Sequence, residues 1–363
     1  MDSVSQITLG AAVSVAVMGR RTAVWKAALW GAAAGTMPDL DVLIDYGDPI
    51  RNMVLHRAET HSLFWLSLVS LPLAAAAAKV HGQWAIWRRW WLALWLVLVT
   101  HPLLDTMTVY GTQLALPFSN HPFGVGSIFI IDPLYTLPLL IGVGWALWRG
   151  GDASSGTNSG PARMAPNTGL AMGGDSASGS SGHWANRVGL LLSCLYLLWS
   201  VAAQAHVTPI ARESLRAQGI AADHVLVTPS AFNTVLWRIV AIDGESYHEG
   251  FYSLLDDKPQ ISFDRFARGQ ALGRSMQHLD GVRRIMAFSK GFYSVQQQNG
   301  QLLIRDLRMG QEPNYVFSFA VARPGNPPQP LASSQQISSR PDIERGLRWL
   351  WRRMQGELLS PPR

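Results

Sequence analysis

Charged residues are scarce in this sequence of 363 residues. Asp, Glu, Lys and Arg make up 15% of it, whereas soluble globular proteins carry about 25%. Hydrophobic residues make up 48%, which excludes a wholly disordered chain and argues against an ordinary cytosolic enzyme. The 15 Trp residues, many of them near the ends of apolar runs, are typical of the membrane–water interface.

Cysteine and the common enzyme motifs are also nearly missing. The single Cys194 cannot form an intrachain disulfide, and it excludes a thiolate metal cluster. There is no GxSxG nucleophile elbow, no Walker A loop and no GxGxxG before a strand and helix, which disfavours serine hydrolases and nucleotide-binding proteins. The first residues, MDSVSQ, are not basic and no cleavage site is clear, so we expect the N-terminal apolar run to be retained.

Six apolar runs predict helices in or beside a membrane. A spanning helix needs about 20 mostly apolar residues. Two short runs rich in Ala and Gly predict a close-packed helical hairpin, because small side chains let backbones approach; interfacial or core helices are the alternative. Four further runs approach the spanning length. In chain order, the runs are 7–18, 23–37, 63–78, 90–104, 128–148 and 188–205.

Changes in composition divide the chain into five segments. The fold class that they predict is mainly α, with a polytopic helical membrane domain followed by a small β-rich (α+β) extramembrane C-terminal domain. The segments are a helical membrane domain with a metal site at 1–149, a flexible Gly/Ser-rich linker at 150–186, a final transmembrane helix at 187–205, the β-rich domain at 206–325 and a polar tail with a short basic helix at 326–363.

Turn signals organise the predicted β-rich domain. Short runs rich in β-branched and aromatic residues alternate with turn residues, and Asn299-Gly300 is a strong two-residue hairpin signal. One helix is expected near residues 263–277, and a basic amphipathic helix near residues 342–355.

Basic residues predict the orientation in the membrane. They fall in the first, third and fifth connections between apolar runs, and short cytoplasmic loops are enriched in Lys and Arg. We therefore interpret the net charge of +6 as a topology signal and expect no nucleic-acid partner. The prediction is a multi-pass membrane protein, surrounded by lipid, with the C-terminal domain on the side opposite to these basic connections. Protein partners are not predicted.

Histidine and aspartate residues collect at the opposite face of the membrane. Asp105 follows His101 by four residues, so both side chains face one side of a helix. Imidazole and carboxylate groups without thiolate suit zinc, with manganese and iron as alternatives. The predicted ligands of a divalent metal are Asp39, Asp41, His56, His61, His101, Asp105 and Asp132.

Catalytic roles are predicted for Asp39, Asp41 and Asp132, and Arg57 is expected to hold an anionic group of the substrate. Thr60 and Ser62 are candidates to orient ligands or to cap the next helix. Taken singly, each motif has a structural alternative. PDLD is a common turn, HxxxD can be a hydrogen-bonded pair, and His56-Arg57 could bind lipid phosphate. Their convergence on one face favours the metal site.

Four of these motifs resemble those of a known family, the bacterial membrane-bound metal-dependent hydrolase-like proteins, which includes a LexA-regulated inner-membrane member. The resemblance covers roughly residues 1–150. It implies an integral protein of the bacterial inner (plasma) membrane with hydrolase activity, and it thus predicts that the site and the C-terminal domain lie on the periplasmic side. Glu59 departs from the family pattern and could add a ligand or alter access. The motifs are PDLD at 38–41, HRxxTHS at 56–62, HPLLDxxTxYGTQLxxPFS at 101–119 and IDPLYT at 131–136.

The tail resembles the C-terminal region of a subset of this family, through FNTVLWRIVAIDGESYHEGFYSLL and FSKGFYSV with LRMG. The function predicted for the whole chain is hydrolysis of an ester or phosphoester, in a lipid-like substrate, by metal-activated water. The alternative is a non-enzymatic membrane protein with a structural metal or ion-pair cluster and an envelope-binding C-terminal domain. A transporter is less favoured, because the polar residues gather at one face and not through the middle of the bilayer.

Overall fold

The structure is a computed structural model that describes residues 1–155, 176–338 and 342–363. Seven α-helices form its N-terminal part. Each predicted apolar run coincides largely with one of them, although the run at 128–148 begins five residues before its helix. The helices are α1 (Ser3–Met18), α2 (Val24–Thr36), α3 (Pro49–Leu55), α4 (Leu63–Val80), α5 (Trp87–Thr106), α6 (Pro133–Ser155) and α7 (Ser176–Ala217).

The predicted linker at 150–186 overlaps the ends of two helices. Helix α6 continues to Ser155 and α7 begins at Ser176, while residues 156–175 of the linker lie outside the described residues.

Helices α1 and α2 form the predicted close-packed hairpin. A Cβ atom built on Gly10 would lie 2.3 Å from the carbonyl oxygen of Gly31, and one on Gly35 would lie 2.7 Å from that of Gln6. Any side chain at these positions would push the two backbones apart. The hairpin matters for the site below, because Gly35 lies at the end of α2 that faces α5.

Within the described residues, two helices are long and apolar enough to cross a membrane. They are α4, at 63–80, and the part of α7 from residue 182 to residue 217. The other predicted spans stay predictions.

Ser62 caps α4 by accepting a hydrogen bond from the backbone N–H of Trp65 at 3.4 Å, which confirms a capping role for this residue.

The C-terminal part is rich in antiparallel sheet, as predicted. One four-stranded sheet has the order β1-β2-β3-β4, a second has the order β10-β9-β6-β5, and β7 pairs with β8. The strands are β1 (His224–Pro229), β2 (Leu236–Asp243), β3 (Ser246–Ser253), β4 (Phe263–Ala267), β5 (Tyr293–Gln298), β6 (Gln301–Asp306), β7 (Gly310–Gln311), β8 (Asn314–Tyr315), β9 (Ser318–Arg323) and β10 (Gln329–Gln336).

The hairpin signal at Asn299-Gly300 is confirmed. Gln298 pairs with Gln301, and both turn residues have positive φ angles, 50° and 70°, as a type I′ turn requires. The basic helix at the C-terminus is also confirmed as α10 (Ile343–Met354), with Asp342 accepting a hydrogen bond from Arg345 N.

Two secondary-structure expectations differ from the structure. The helix predicted near 263–277 is divided, because residues 263–267 pair as β4 with the edge of β3 and only then does α8 (Gln270–Ser275) begin, followed by α9 (Asp280–Phe288). Strand β10 lies in the predicted polar tail. In both cases a partner strand supplies backbone hydrogen bonds that local composition does not reveal.

The C-terminal domain packs directly on the N-terminal part. Ile50 and Met53 of α3 share one hydrophobic cluster with Ile285 and Phe288 of α9. Tyr110, in the loop after α5, joins this cluster and lies edge-on to Phe288, with ring centroids 5.5 Å apart. The domain is therefore held beside the segment that carries His56 and Arg57.

Candidate metal centre

Four of the seven predicted ligands converge on one point. Ligand atoms of Asp39, His61, His101 and Asp105 all lie within 4.8 Å of one another. The last three are buried, and Asp39 is partly exposed, with 18% of its side chain accessible. Three different parts of the chain supply them, so the cluster exists only in the folded protein.

The spacing of the donor atoms matches a tetrahedral metal site. His61 Nε2 and His101 Nε2 are 3.2 Å apart. Asp39 Oδ1 lies 3.3 and 3.4 Å from these two nitrogens, and Asp105 Oδ2 lies 3.2 and 3.6 Å from them. Ligands at 2.0–2.2 Å from a tetrahedral zinc ion are about 3.3–3.6 Å from each other. The measured distances are close to this range, so the residues fit a single ion.

Both imidazoles are oriented with a lone pair towards this point. His101 Nδ1 lies 2.7 Å from the carbonyl oxygen of Gly35, which can only accept, so Nδ1 carries the proton and Nε2 has the lone pair. Thr60 donates its hydroxyl proton to Asp41 Oδ2 at 2.8 Å and thus accepts from His61 Nδ1 at 3.0 Å. Metal-binding histidines are commonly held by such outer hydrogen bonds. The role predicted for Thr60 as an orienting residue agrees with this geometry.

Local helix geometry explains how the aspartates reach the site. Residues 37–43 form a 3₁₀ helix that follows α2 directly, with Pro38 in its first turn. Asp39 and Asp41 are directed inward, whereas Leu40 and Val42 are 51% and 73% exposed. Asp105 is placed one helical turn after His101 on α5, as the HxxxD spacing predicts.

Asp105 is held by several groups besides the histidines. Its Oδ1 accepts hydrogen bonds from Gln6 Nε2, at 3.1 Å, and from the amino group of Met1. Its Oδ2 is buried and has no hydrogen-bond donor within the described part of the chain. That oxygen faces the two histidine Nε2 atoms and lies 3.3 Å from Arg57 Nε. An acceptor oxygen among imidazole lone pairs is stabilised by a cation, which supports the metal interpretation.

The electrostatics of the site also favour a positive charge. Burial acts to lower the pKa of His61, but its contacts with Asp105 and Asp39 outweigh this and leave the pKa above its ordinary value. Burial acts to raise the pKa of Asp39, but hydrogen bonding to His101 and His61 holds it well below the usual range. The two carboxylates therefore attract either a proton or a metal ion to the same place.

Asp41 and His56 form a second pair beside the four-residue group. Asp41 Oδ1 lies 2.7 Å from His56 Nδ1, and Oδ2 accepts from the backbone N–H of Arg57 at 3.0 Å. Burial opposes ionisation of Asp41, yet hydrogen bonding to His56 holds its pKa below the usual value. The His56 and His61 rings are edge-on with centroids 6.0 Å apart. Asp41 is thus fully engaged in orienting its neighbours.

Arg57 is buried at the inner side of the cluster. Its Nε lies 3.3 Å from Asp105 Oδ2, its Nη1 donates to Thr108 Oγ1 at 3.3 Å, and its guanidinium lies 4.8 Å from the centre of the Tyr110 ring. Its φ angle of +67° is uncommon for a residue with a side chain and is part of the turn that separates His56 from His61. The cation thus lies directly against the carboxylate of Asp105 inside the cluster.

The structure does not bring Asp132 to the cluster. Its Oδ1 accepts from the backbone N–H of Leu134 at 3.0 Å, which caps α6, and its Oδ2 accepts from Tyr196 Oη of α7 at 2.8 Å. Glu59 and His121 are exposed and do not belong to the four-residue group. The ligand role predicted for Asp132 and the one suggested for Glu59 are therefore not part of this four-residue group.

Three supporting residues carry no site signal in the sequence. Gly35 acts through its carbonyl, and Gln6 comes from a different helix. Tyr110 donates its hydroxyl to Met53 O of α3 at 2.6 Å and contacts the C-terminal domain through the ring of Phe288. Only Tyr110 lies in one of the motifs, and there it has no recognisable chemical role.

These features define a class of protein, namely a helical protein with candidate membrane spans, a buried His–Asp cluster that could hold a metal ion and a β-rich C-terminal domain. The chain belongs to the YdjM inner membrane protein family, whose model matches residues 1–207. This confirms the family resemblance.

A curated relative, the uncharacterized protein YfhP of Bacillus subtilis (strain 168), is 29% identical over 161 residues. The match covers 42% of this chain and 47% of the relative, so it spans about half the length of that protein. No solved structure matches the chain.

Proposed function

We propose that this protein is a multi-pass inner-membrane hydrolase that depends on a divalent metal and cleaves an ester or phosphoester in a lipid-like substrate. The observation that carries the proposal is the set of four acceptor atoms on Asp39, His61, His101 and Asp105, separated by distances close to the edges of a zinc tetrahedron. Zinc fits the two-imidazole, two-carboxylate set best, and manganese and iron are the alternatives. A bound divalent ion would make water a better nucleophile at neutral pH.

His56 is the residue that we assign to proton transfer. Its side chain is 26% exposed, so solvent and substrate can reach it, and its Nδ1 is bound to Asp41. That bond leaves Nε2 available to take or give a proton, and the carboxylate stabilises the charged imidazole. The catalytic contribution predicted for Asp41 is then to orient His56.

Arg57 is assigned to the anionic part of the substrate. Its guanidinium is fixed by Thr108 and Tyr110, so the planar fork is held in place before substrate arrives. A cation beside Asp105 also offsets part of the negative charge of the cluster. An ester linkage next to a phosphate or carboxylate is the substrate chemistry that this arrangement favours.

An apolar rim beside the site supports a lipid-like substrate. We use this name for Leu40, Val42, Leu43 and Ile44, which follow Asp39 in the chain and are 49–79% exposed. Exposed aromatic side chains continue it at Phe64 and Phe118, whose ring centroids are 5.5 Å apart. A patch of exposed apolar and aromatic residues next to polar chemistry is typical of a membrane interface. We place this face in the periplasm, following the basic connections on the other side.

The alternative function is structural, and burial of the cluster favours it. Asp105 and His61 have no exposed side-chain area, and Arg57 is 4% exposed. Such a network of charges could fix α1, α2 and α5 relative to one another without turning over a substrate. In that case the C-terminal domain would act as an envelope-binding module.

One experiment separates these functions. The full chain is purified in detergent, its metal content is measured by elemental analysis, and hydrolysis of a panel of phospholipids and phosphoesters is assayed with and without chelator. The hydrolase proposal expects near-stoichiometric metal and turnover that the chelator abolishes. Bound metal without chelator-sensitive turnover would favour the structural function.

Matched variants assign the metal to this cluster. His101→Ala combined with Asp105→Ala should lose the metal, whereas His121→Ala, which changes an exposed histidine outside the cluster, should keep it. Metal that survives the double substitution would contradict both functions.

A further inference from the structure

A cavity of about 440 Å³ lies between the two parts of the protein, separate from the metal centre. One side is formed by Ile128, Phe129 and Ile130, just before α6, and by Phe232 in the β1–β2 connection. The other side is formed by α10, through residues such as Leu347. Its volume is within the range of small-molecule sites, and most of its lining is apolar.

The cavity lies next to the candidate membrane span in α7. Trp199, on the candidate span in α7, is 50% exposed and donates its indole N–H to Thr234 Oγ1 at 3.2 Å. Thr234 follows Phe232 by two residues, and Phe232 packs edge-on against Phe129 with centroids 5.7 Å apart. The cavity is therefore next to the region where α6 and α7 meet the C-terminal domain, and an acyl chain could reach it from the bilayer.

The polar groups of the cavity suit an anion. Four arginines lie on α10, and three of them pair with carboxylates: Arg348 with Glu344, Arg352 with Glu357 and Arg353 with Asp256. Arg345 lines the cavity and has no carboxylate within 4.0 Å in the described part of the chain.

A second polar group on the cavity also lacks a partner. Ser230 is 8% exposed and lines the cavity, and its hydroxyl has no hydrogen-bond partner among the described residues. A buried hydroxyl without a partner is costly, and a ligand that bonds to it would remove that cost.

We propose that this cavity binds an anionic membrane amphiphile, with its acyl chain between Phe129, Phe232 and Leu347 and its anionic head on Arg345. The exposed apolar residues of α10 agree with this, because Ile343 and Leu347 are 70% and 48% exposed beside the cavity. The site is independent of the proposed hydrolase activity. It gives the C-terminal domain a lipid-binding role of its own.

The test uses the full chain reconstituted in phosphatidylcholine vesicles that contain a small fraction of phosphatidylglycerol with a diazirine near the end of one acyl chain. After illumination, labelled peptides are mapped by mass spectrometry. We expect saturable labelling at Phe129, Phe232 or Leu347, displaced by unlabelled phosphatidylglycerol but not by phosphatidylcholine. Displacement by a free fatty acid as strong as that by phosphatidylglycerol would support the cavity and identify a carboxylate as an accepted head. Labelling confined to the outer surfaces of α4 and α7 would overturn the proposal.

Two pairs of exposed positions supply the controls. Arg345→Gln should reduce labelling in the cavity by about fivefold, the effect of one arginine near an anionic lipid surface, whereas Arg348→Gln should leave it unchanged. Leu347→Asn should also reduce it, whereas Trp351→Asn, on the same helix but outside the cavity, should not. Equal losses from Leu347→Asn and Trp351→Asn would show that α10 merely adsorbs to the membrane surface, and would refute the cavity site.

Discussion

The Nε2 atoms of His61 and His101 lie 3.2 Å apart, and each ring is held from its opposite side by a hydrogen bond of Nδ1. Both Nδ1 atoms carry their protons outward, one to Gly35 O and one to Thr60 Oγ1. When both rings are neutral, their two Nε2 lone pairs face each other and repel, and a metal cation or a shared proton between them removes the repulsion. This relationship, more than the number of acidic residues nearby, makes the cluster a candidate metal centre.

Thr60 gives a direct test of the outer hydrogen bonds. Thr60→Val keeps the shape of the side chain but removes the hydroxyl that joins His61 to Asp41, so we expect metal affinity to fall by about 10–100-fold. Competition with a chelator of known affinity measures the change. Thr60→Ser keeps the hydroxyl and should stay close to the wild type. Equal metal affinity in Thr60→Val and the wild type would show that the hydrogen bonds through Thr60 do not orient His61.

Arg57 separates substrate binding from metal binding. Arg57→Lys keeps the positive charge but loses the planar fork, so we expect kcat/KM for an anionic ester to fall roughly tenfold or more while the metal content is retained. Steady-state kinetics and elemental analysis on the same preparation check this. An unchanged kcat/KM in this variant would show that Arg57 does not bind the substrate.

A side chain added where α1 and α2 cross should destabilise the protein. In Gly31→Ala, the new Cβ atom would lie 2.3 Å from Gly10 O, and we expect a loss of about 1–3 kcal/mol in the free energy of unfolding. Thermal unfolding followed by circular dichroism in detergent measures it. Gly144→Ala is the matched control on α6, where a Cβ atom meets nothing within 4 Å and the change should be neutral or slightly stabilising.

The orientation in the membrane is open to a reporter experiment. A periplasm-active reporter fused after Arg363 should be active, and the same reporter inserted at Ser159 should be inactive, because the basic connections are expected in the cytoplasm. A cytoplasm-active reporter at each position should give the opposite result. Identical signals from the two positions would contradict the alternating arrangement of helices.

The apolar runs, the hairpin turn at Asn299-Gly300 and the helix α10 could be predicted from local pattern alone, because each depends on short-range chemistry. The convergence of His and Asp residues could also be anticipated in part. The HxxxD spacing places His101 and Asp105 on one helical face, and the family motifs mark Asp39 and His61. Their predicted position at the same membrane face made Asp41, His56 and Asp132 look equivalent to these four.

The different roles of the seven predicted ligands depend on contacts between distant segments of the chain. Asp41 is committed to His56 and Thr60, and Asp132 to Tyr196 of α7, which lies 64 residues away in the chain. Strand β4 likewise forms because β3 offers an open edge. Local sequence determines helices and turns since their hydrogen bonds close within a few residues. Whether a given His or Asp can be a metal ligand depends on which side chains from distant segments lie next to it. Only the tertiary structure specifies those neighbours.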